Sequence, residues 1–173
     1  MIETSKLENI ISKCGIILEF RTLPDSTLGY YFFDGNYYMI LIDDRIRNLE
    51  KLYRTVLAEE IGHYRTTIGD ITPRKYMCYG DRLEVDKKEV AALRWAVDFL
   101  IPTEMLLDAI KNKFVRNLSE MADHFVVTEQ FVMHKLEFMA RKQSIWKIDD
   151  QKSLCLMNLP SVFIYQQTLI SNM

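Results

Sequence analysis

Between Asn48 and Arg65 apolar residues recur at helical spacing, and charged groups break into the stripe they form. At about 100° per residue, Leu49, Leu52, Tyr53, Val56, Leu57, Ile61 and Tyr64 fall in one arc, while Lys51, Arg54, Ala58 and Arg65 lie opposite. Glu60 falls near the middle of the apolar arc, His63 lies within it and Glu59 stands at its edge. A second helix, expected from about Glu84 to Leu100 and ended by Pro102, repeats the anomaly. Val85, Val90, Leu93, Ala96, Val97, Phe99 and Leu100 share one side of it and Lys87, Arg94 and Asp98 the other, yet Glu89 sits near the centre of the apolar side. Burying an ionised carboxylate without a partner costs several kcal/mol. A chain that places such groups on two core-facing stripes needs a compensating charge.

Two adjacent glutamates ordinarily form a solvated face, and a lone helical histidine is ordinarily a packed or surface residue. Wheel position argues otherwise here: the arginines of both helices face the polar sides, so a divalent cation is the partner that would serve every acid at once. Residues at i and i+4 share a helix face, so Glu59 and His63 can reach one ion, while Glu60 points elsewhere and can hold a water beside it. Glu89 would complete three protein ligands and leave a position open, the mark of a catalytic rather than a structural site. An ion there would bring the pKa of water toward about 7, and Glu60 would take the proton and pass it to a leaving amine.

The rest of the chain reads as an α+β fold with a small antiparallel sheet of about three strands and a helical C-terminal half. Residues 3 to 13 suggest a short helix behind a Thr4 or Ser5 cap, with Gly15 as its stop. GIILEF reads as a strand, and YYFF and YMILI flank Asp34-Gly35-Asn36, a strong hairpin signal. A loop is expected from about 66 to 82, with Gly69, Pro73 and Gly80 as breakers, and Thr103, Ser119 and Thr128 read as caps of three further helices. Residues 142 to 173 show no clear period and receive no assignment.

A length of 173 residues, 49% of them hydrophobic and 27% charged, fits one main domain with a real core. The formal charge of −2 offers no electrostatic reason to expect a phosphate backbone as partner. Cys14, Cys78 and Cys155 are far apart, odd in number and without a C-x-x-C pairing, which points to a reducing compartment rather than a disulfide frame. No run is long enough to span a bilayer and MIETSKLENIISK lacks a signal-peptide core, so the expected location is the cytoplasm.

Run on from the first site residues, these features resemble the ImmA/IrrE family of metallopeptidases, often encoded on phages and other mobile elements beside a repressor gene. The family pattern is H-E-x-G-H, a variable loop, then E-x-x-A-x-x-F-A-x-x-L-x-x-P. The second part stands here as Glu89, Ala92, Trp95-Ala96, Phe99-Leu100 and Pro102, in register. LPDSTLGYYFFDGNYYMILID is similar to the family's strand segment and LSEMADHFVVTEQFVMHKLEFM to its closing helical segment, so the likeness covers roughly residues 5 to 141. It implies a zincin-like active-site helix within a domain spanning 1 to 141, with a helical hairpin at about 119 to 141.

The resemblance further implies that His63 and Glu89 are metal ligands and Glu60 the catalytic acid-base. Glu59 stands where the family has its first histidine. A carboxylate still binds zinc, but one histidine with two carboxylates makes a harder, more anionic site, to which manganese or iron is also suited. The substrate so implied is a helix-turn-helix repressor, which makes the chain an anti-repressor peptidase. Two other readings stay open. Leu118 to Leu136 could form a two-helix DNA-binding unit, although Glu129 to Lys135 carries little positive charge at its start. Alternatively the domain captures a repressor without cutting it, with Phe163, Ile164 and Tyr165 as a partner surface. His124 and His134 read as packing or surface residues rather than further ligands.

Overall fold

A computed structural model describes residues 1–66 and 79–166, and for 79–85, 163 and 166 the backbone alone. Its elements run α1 (Thr4–Lys13), β1 (Ile17–Arg21), β2 (Gly29–Phe33), β3 (Tyr38–Asp43), a 3-10 turn at Asp44–Ile46, α2 (Glu50–Thr66), α3 (Tyr79–Leu100), α4 (Thr103–Lys111), α5 (Leu118–Phe125), α6 (Glu129–Lys142), β4 (Ile145–Lys147), β5 (Lys152–Cys155) and β6 (Phe163–Gln166). The α+β class is as the sequence indicates. One pairing differs: the first sheet has the order β1-β3-β2, and β1 runs parallel to β3 while β2 and β3 form the antiparallel hairpin. The sheet is therefore mixed, with β2 on an edge.

Local chemistry sets the hairpin and its approach. The Asp34 carboxylate accepts the N–H groups of Asn36 and Tyr37 at 2.8 Å each, and Gly35 takes a φ of +95°, which a Cβ would disfavour. At the other end of β3, buried Asp43 accepts from Leu23 N–H and from Arg45 N–H, both at 2.8 Å, and from the Arg45 Nε at 2.7 Å. These bonds, led by the Arg45 side chain, hold its carboxyl well below the usual carboxylate range and tie the β1–β2 connection to the sheet.

Helix α2 is buried on nearly every side, which corrects the wheel. Arg54 and Ala58, assigned to a polar face, are both enclosed, because α1 and the α5–α6 junction cover that side. The hydrogen bonds of Arg54 there go to carbonyls and a hydroxyl. Its Nε donates to the Val126 carbonyl at 2.9 Å, one Nη to Thr4 Oγ1 at 2.6 Å and the other to the Ile2 carbonyl at 2.7 Å. Thr4 thus serves Arg54 instead of capping α1, whose cap position is Glu3. Leu49, assigned to the apolar arc, lies just ahead of α2 and is exposed.

Other boundaries shift by similar reasons. Gly80 falls inside α3 rather than breaking it, and the expected loop residues 67 to 78, Gly69 and Pro73 among them, lie outside the described residues. Pro102 takes the cap position of α4, and Asn117, not Ser119, caps α5 by accepting from Glu120 N–H at 2.8 Å. Thr128 caps α6 as expected, accepting from Phe131 N–H at 3.2 Å. The tail without a period forms a second antiparallel sheet, β4-β5-β6, and its Leu154 and Leu156 join the same core as α4, α5 and α6. Cys14 and Cys155 are free thiols, and no described helix is long and apolar enough to cross a membrane.

The Arg54 clamp yields a stability prediction. Arg54→Ala strips three segments of their shared donor and leaves buried carbonyls unpaired, so denaturant unfolding should show a loss of about 2–4 kcal/mol. Arg54→Lys should recover less than half of that, since one ammonium cannot span the fork's three directions.

Candidate functional site

Two glycines bring the site's walls together. A Cβ on Gly62 would lie 2.4 Å from the Ala92 carbonyl oxygen, so only glycine lets α2 approach α3 this closely. That contact places His63, the next residue on α2, against Glu89, almost one turn before Ala92 on α3, with His63 Nε2 3.4 Å from Glu89 Oε2. On the opposite wall a Cβ on Gly29 would lie 2.5 Å from Val56 Cγ1 and 2.7 Å from Glu60 Oε1. Glycine at the start of β2 therefore makes room for the Glu60 carboxylate, which also accepts the backbone N–H of Tyr31.

Burial divides the four residues. Glu60 and His63 are 9% and 8% exposed, as the wheel implies. Glu89 does not sit in the core: its side chain is 42% exposed and faces a cleft, and neighbouring Val90, also assigned to the buried side, is 46% exposed. The apolar stripe of α3 runs out of the core there and continues along a cleft wall. Glu59, His63 and Glu89 line that cleft, of about 380 Å³, while Glu60, His63 and Glu89 line a smaller cavity of about 160 Å³ against Gly29, Tyr30 and Tyr31 of β2. Glu59 and Glu60 thus address opposite sides of one His63–Glu89 pair.

The sequence reading left His134 aside, yet α6 brings it to the rim of the larger cleft, where its Nδ1 lies 3.4 Å from Glu137. Its position depends on how α6 folds back on α2 and α3, for which no local signal exists. His124 behaves as expected, stacked on Phe114 and edge-on to Phe125. Helix α6 itself is largely buried: Phe131, Val132 and Leu136 are core, and Lys135, 1% exposed, donates to Asp98 Oδ1 at 2.5 Å and Thr103 Oγ1 at 2.9 Å. A recognition helix needs those positions free for a DNA groove.

Electrostatically the site carries too much negative charge for its burial. Desolvation, with repulsion from Glu89, pushes Glu59 up to about 7 despite attraction to His63. Burial likewise pushes Glu60 up to about 7, again against the pull of His63. Burial opposes the charged form of His63, but its contact with Glu89 and the charges of Glu60, Glu89 and Glu59 together outweigh this and raise its pKa. These are the conditions a divalent cation relieves. His63 Nε2 and Glu89 Oε2 have the separation of about 3.3 Å that two donors on one tetrahedral ion require. The third arm is not closed: among the described residues no group of three His, Cys, Asp or Glu donors is drawn together as an ion would hold them. Chemistry and two positions fit; Glu59 lines the same cleft without being drawn together with them.

A pH dependence follows for the metal-free protein. Carboxyls with pKa values raised from 4.5 to about 7 hold protons in the folded state that the unfolded chain has released, so stability falls as pH rises through that interval. The raised His63 acts in the same direction, its contribution being lost as pH climbs past its folded pKa. Thermal melts in chelator should show a higher Tm at pH 5 than at pH 8, and Glu59→Gln with Glu60→Gln should flatten the difference.

Comparison with known proteins adds a family. Searches of curated proteins and of solved structures return no match. The family model described as IrrE N-terminal-like domain, Peptidase_M78, matches residues 12–137, a span that contains β1 to β3, both site helices, α5 and the larger part of α6. With most of its length under that match, the chain belongs to the Peptidase_M78, or ImmA/IrrE, family of metallopeptidases.

Proposed function

We propose that this protein is a metal-dependent peptidase that cleaves a helix-turn-helix repressor of a phage or mobile element, and so relieves repression. The observation that carries the hydrolytic part is the His63–Glu89 pair at 3.4 Å, flanked by Glu59 on one side and by buried Glu60 on the other. The repressor as substrate rests on the family resemblance, and a cytoplasmic site of action goes with it.

In this reading His63, Glu89 and Glu59 hold the cation, zinc first, with manganese or iron also suited to so anionic a set. When bound, the cation supplies Lewis-acid polarisation of the scissile carbonyl and lowers the pKa of water near it. Glu60 holds that water, takes its proton and returns it to the leaving amine, a role to which a carboxyl titrating at about 7 is matched. The edge strand β2 runs beside Glu60, and its backbone is the surface along which an extended peptide lies. Gly29 keeps the Glu60 carboxylate from being crowded out of that position.

A capture-only role is the second reading, favoured by one observation: the three donors do not converge, and the unconverged arm is the glutamate that replaces the family's histidine. Protein purified without chelator should carry about one equivalent of metal by elemental analysis under the peptidase reading. His63→Ala and Glu59→Ala should lose it, while Glu59→His should bind zinc more tightly than the native chain. For activity, mixing with the neighbouring repressor should give defined fragments, and Glu60→Gln should slow cleavage by about 10²–10⁴-fold with metal content unchanged. Equal cleavage by both proteins would sink the assigned mechanism; tight repressor binding without fragments would establish the capture role.

A further inference from the structure

The His63–Glu89 pair has two unlike sides. Toward β2 the space is small and polar-edged, with Glu60 and the strand backbone. Toward α6 it opens into the cleft of about 380 Å³, whose walls are Leu28, Leu52, Val56, Val90, Leu93 and Phe131 and whose floor is Glu59, His63 and Glu89. We propose that this cleft is the specificity pocket of the site, taking one bulky apolar side chain without a branch at Cβ, of the Leu, Met or Phe class, adjacent to the scissile bond. The proposal rests on the peptidase reading for its place beside a scissile bond.

Three features support it. The first is continuity: both spaces share His63 and Glu89, so a peptide laid along β2 with a carbonyl near Glu60 delivers a neighbouring side chain across the pair into the cleft. The second is the source of the apolar wall. Leu93, Ala96, Val97 and Leu100 of α3 pack toward the core, and the same stripe continues to Val90, which is 46% exposed and borders the cleft. Apolar surface retained beside half-buried acids offers a peptide side chain a dry surface to cover. The third is charge: in the metal-free protein Glu59 and Glu89 on the floor disfavour an acidic side chain, so the pocket of that state discriminates by sign as well as by size. Gln130 and His134 at the rim supply hydrogen-bonding groups for the backbone that carries the inserted side chain.

Binding tests this independently of hydrolysis. Fluorescein-labelled peptides of the form Gly-Gly-X-Gly-Gly-amide, with X as Leu, Phe, Ala, Lys or Glu, are titrated into the full chain in chelator and followed by anisotropy. The Leu and Phe peptides should bind at least about tenfold more tightly than Ala, and Glu should bind most weakly. Val90→Glu and Val90→Trp, at a position exposed enough to keep the native Tm, should abolish the Leu and Phe advantage. Equal binding across the series, a preference for Lys, no measurable binding, or an advantage that survives both Val90 variants would each overturn the pocket. If the preference holds while the repressor remains uncut, the pocket stands and the peptidase reading falls.

Discussion

The structure depends on how closely two helices approach. Gly62 lets α2 rest against the Ala92 carbonyl of α3, and no other residue could do so without moving one backbone away from the other. That contact sets the His63–Glu89 separation, because both residues are carried rigidly on the two helices within a turn of it. The larger cleft lies beside this contact, lined by residues of α2, α3 and the start of α6, Phe131 among them. Gly29 repeats the device on the other wall, where the sheet edge meets Glu60. A glycine at each wall admits backbone where a side chain would have filled the site.

Among the described residues the buried cations are committed elsewhere: Arg54 to carbonyls and Thr4 at the α1 and α5 ends, Lys135 to Asp98 and Thr103 at the α3–α4 corner. Both tie together the elements that frame α2 and α3. Burial pushes Glu59 and Glu60 upward from their ordinary pKa values against the pull of His63, and the surrounding carboxylates raise His63 in turn. In the proposed peptidase, protons and a divalent cation would compete for one set of lone pairs.

Periodicity made α2 and α3 legible, and it placed Glu60 and His63 inward correctly because one face of α2 packs on the sheet as an amphipathic helix does. The same method failed for Arg54 and Ala58, since a helix surrounded by other elements has no polar face to find. It also misplaced Val90 and Glu89: a wheel separates apolar from polar but not core from cleft, and these residues lie on an apolar stripe that leaves the core. Pairing direction was out of reach as well. A strand followed by a hairpin can join either edge, and β1 joins β3 on its far side in parallel, a matter of packing against α1 and α2 rather than of local signal. The tail was silent because β4, β5 and β6 are only three or four residues each, too short for alternation to register.

Glu59 is where local and global demands conflict. Histidine at this position would present a neutral donor to the cation and leave the metal-free site with one fewer buried acid. Glutamate adds a third carboxylate, which raises the electrostatic reward for binding a cation and also the penalty for being without one. In the proposed peptidase it would also damp the cation's pull on a carbonyl, because more anionic ligands leave less positive charge for the substrate. A site built this way would trade Lewis acidity for dependence on its metal. Its proposed chemistry would then rest more heavily on Glu60, whose burial against Gly29 and Tyr31 holds a carboxyl near neutrality on the side of the pair that Glu59 does not face.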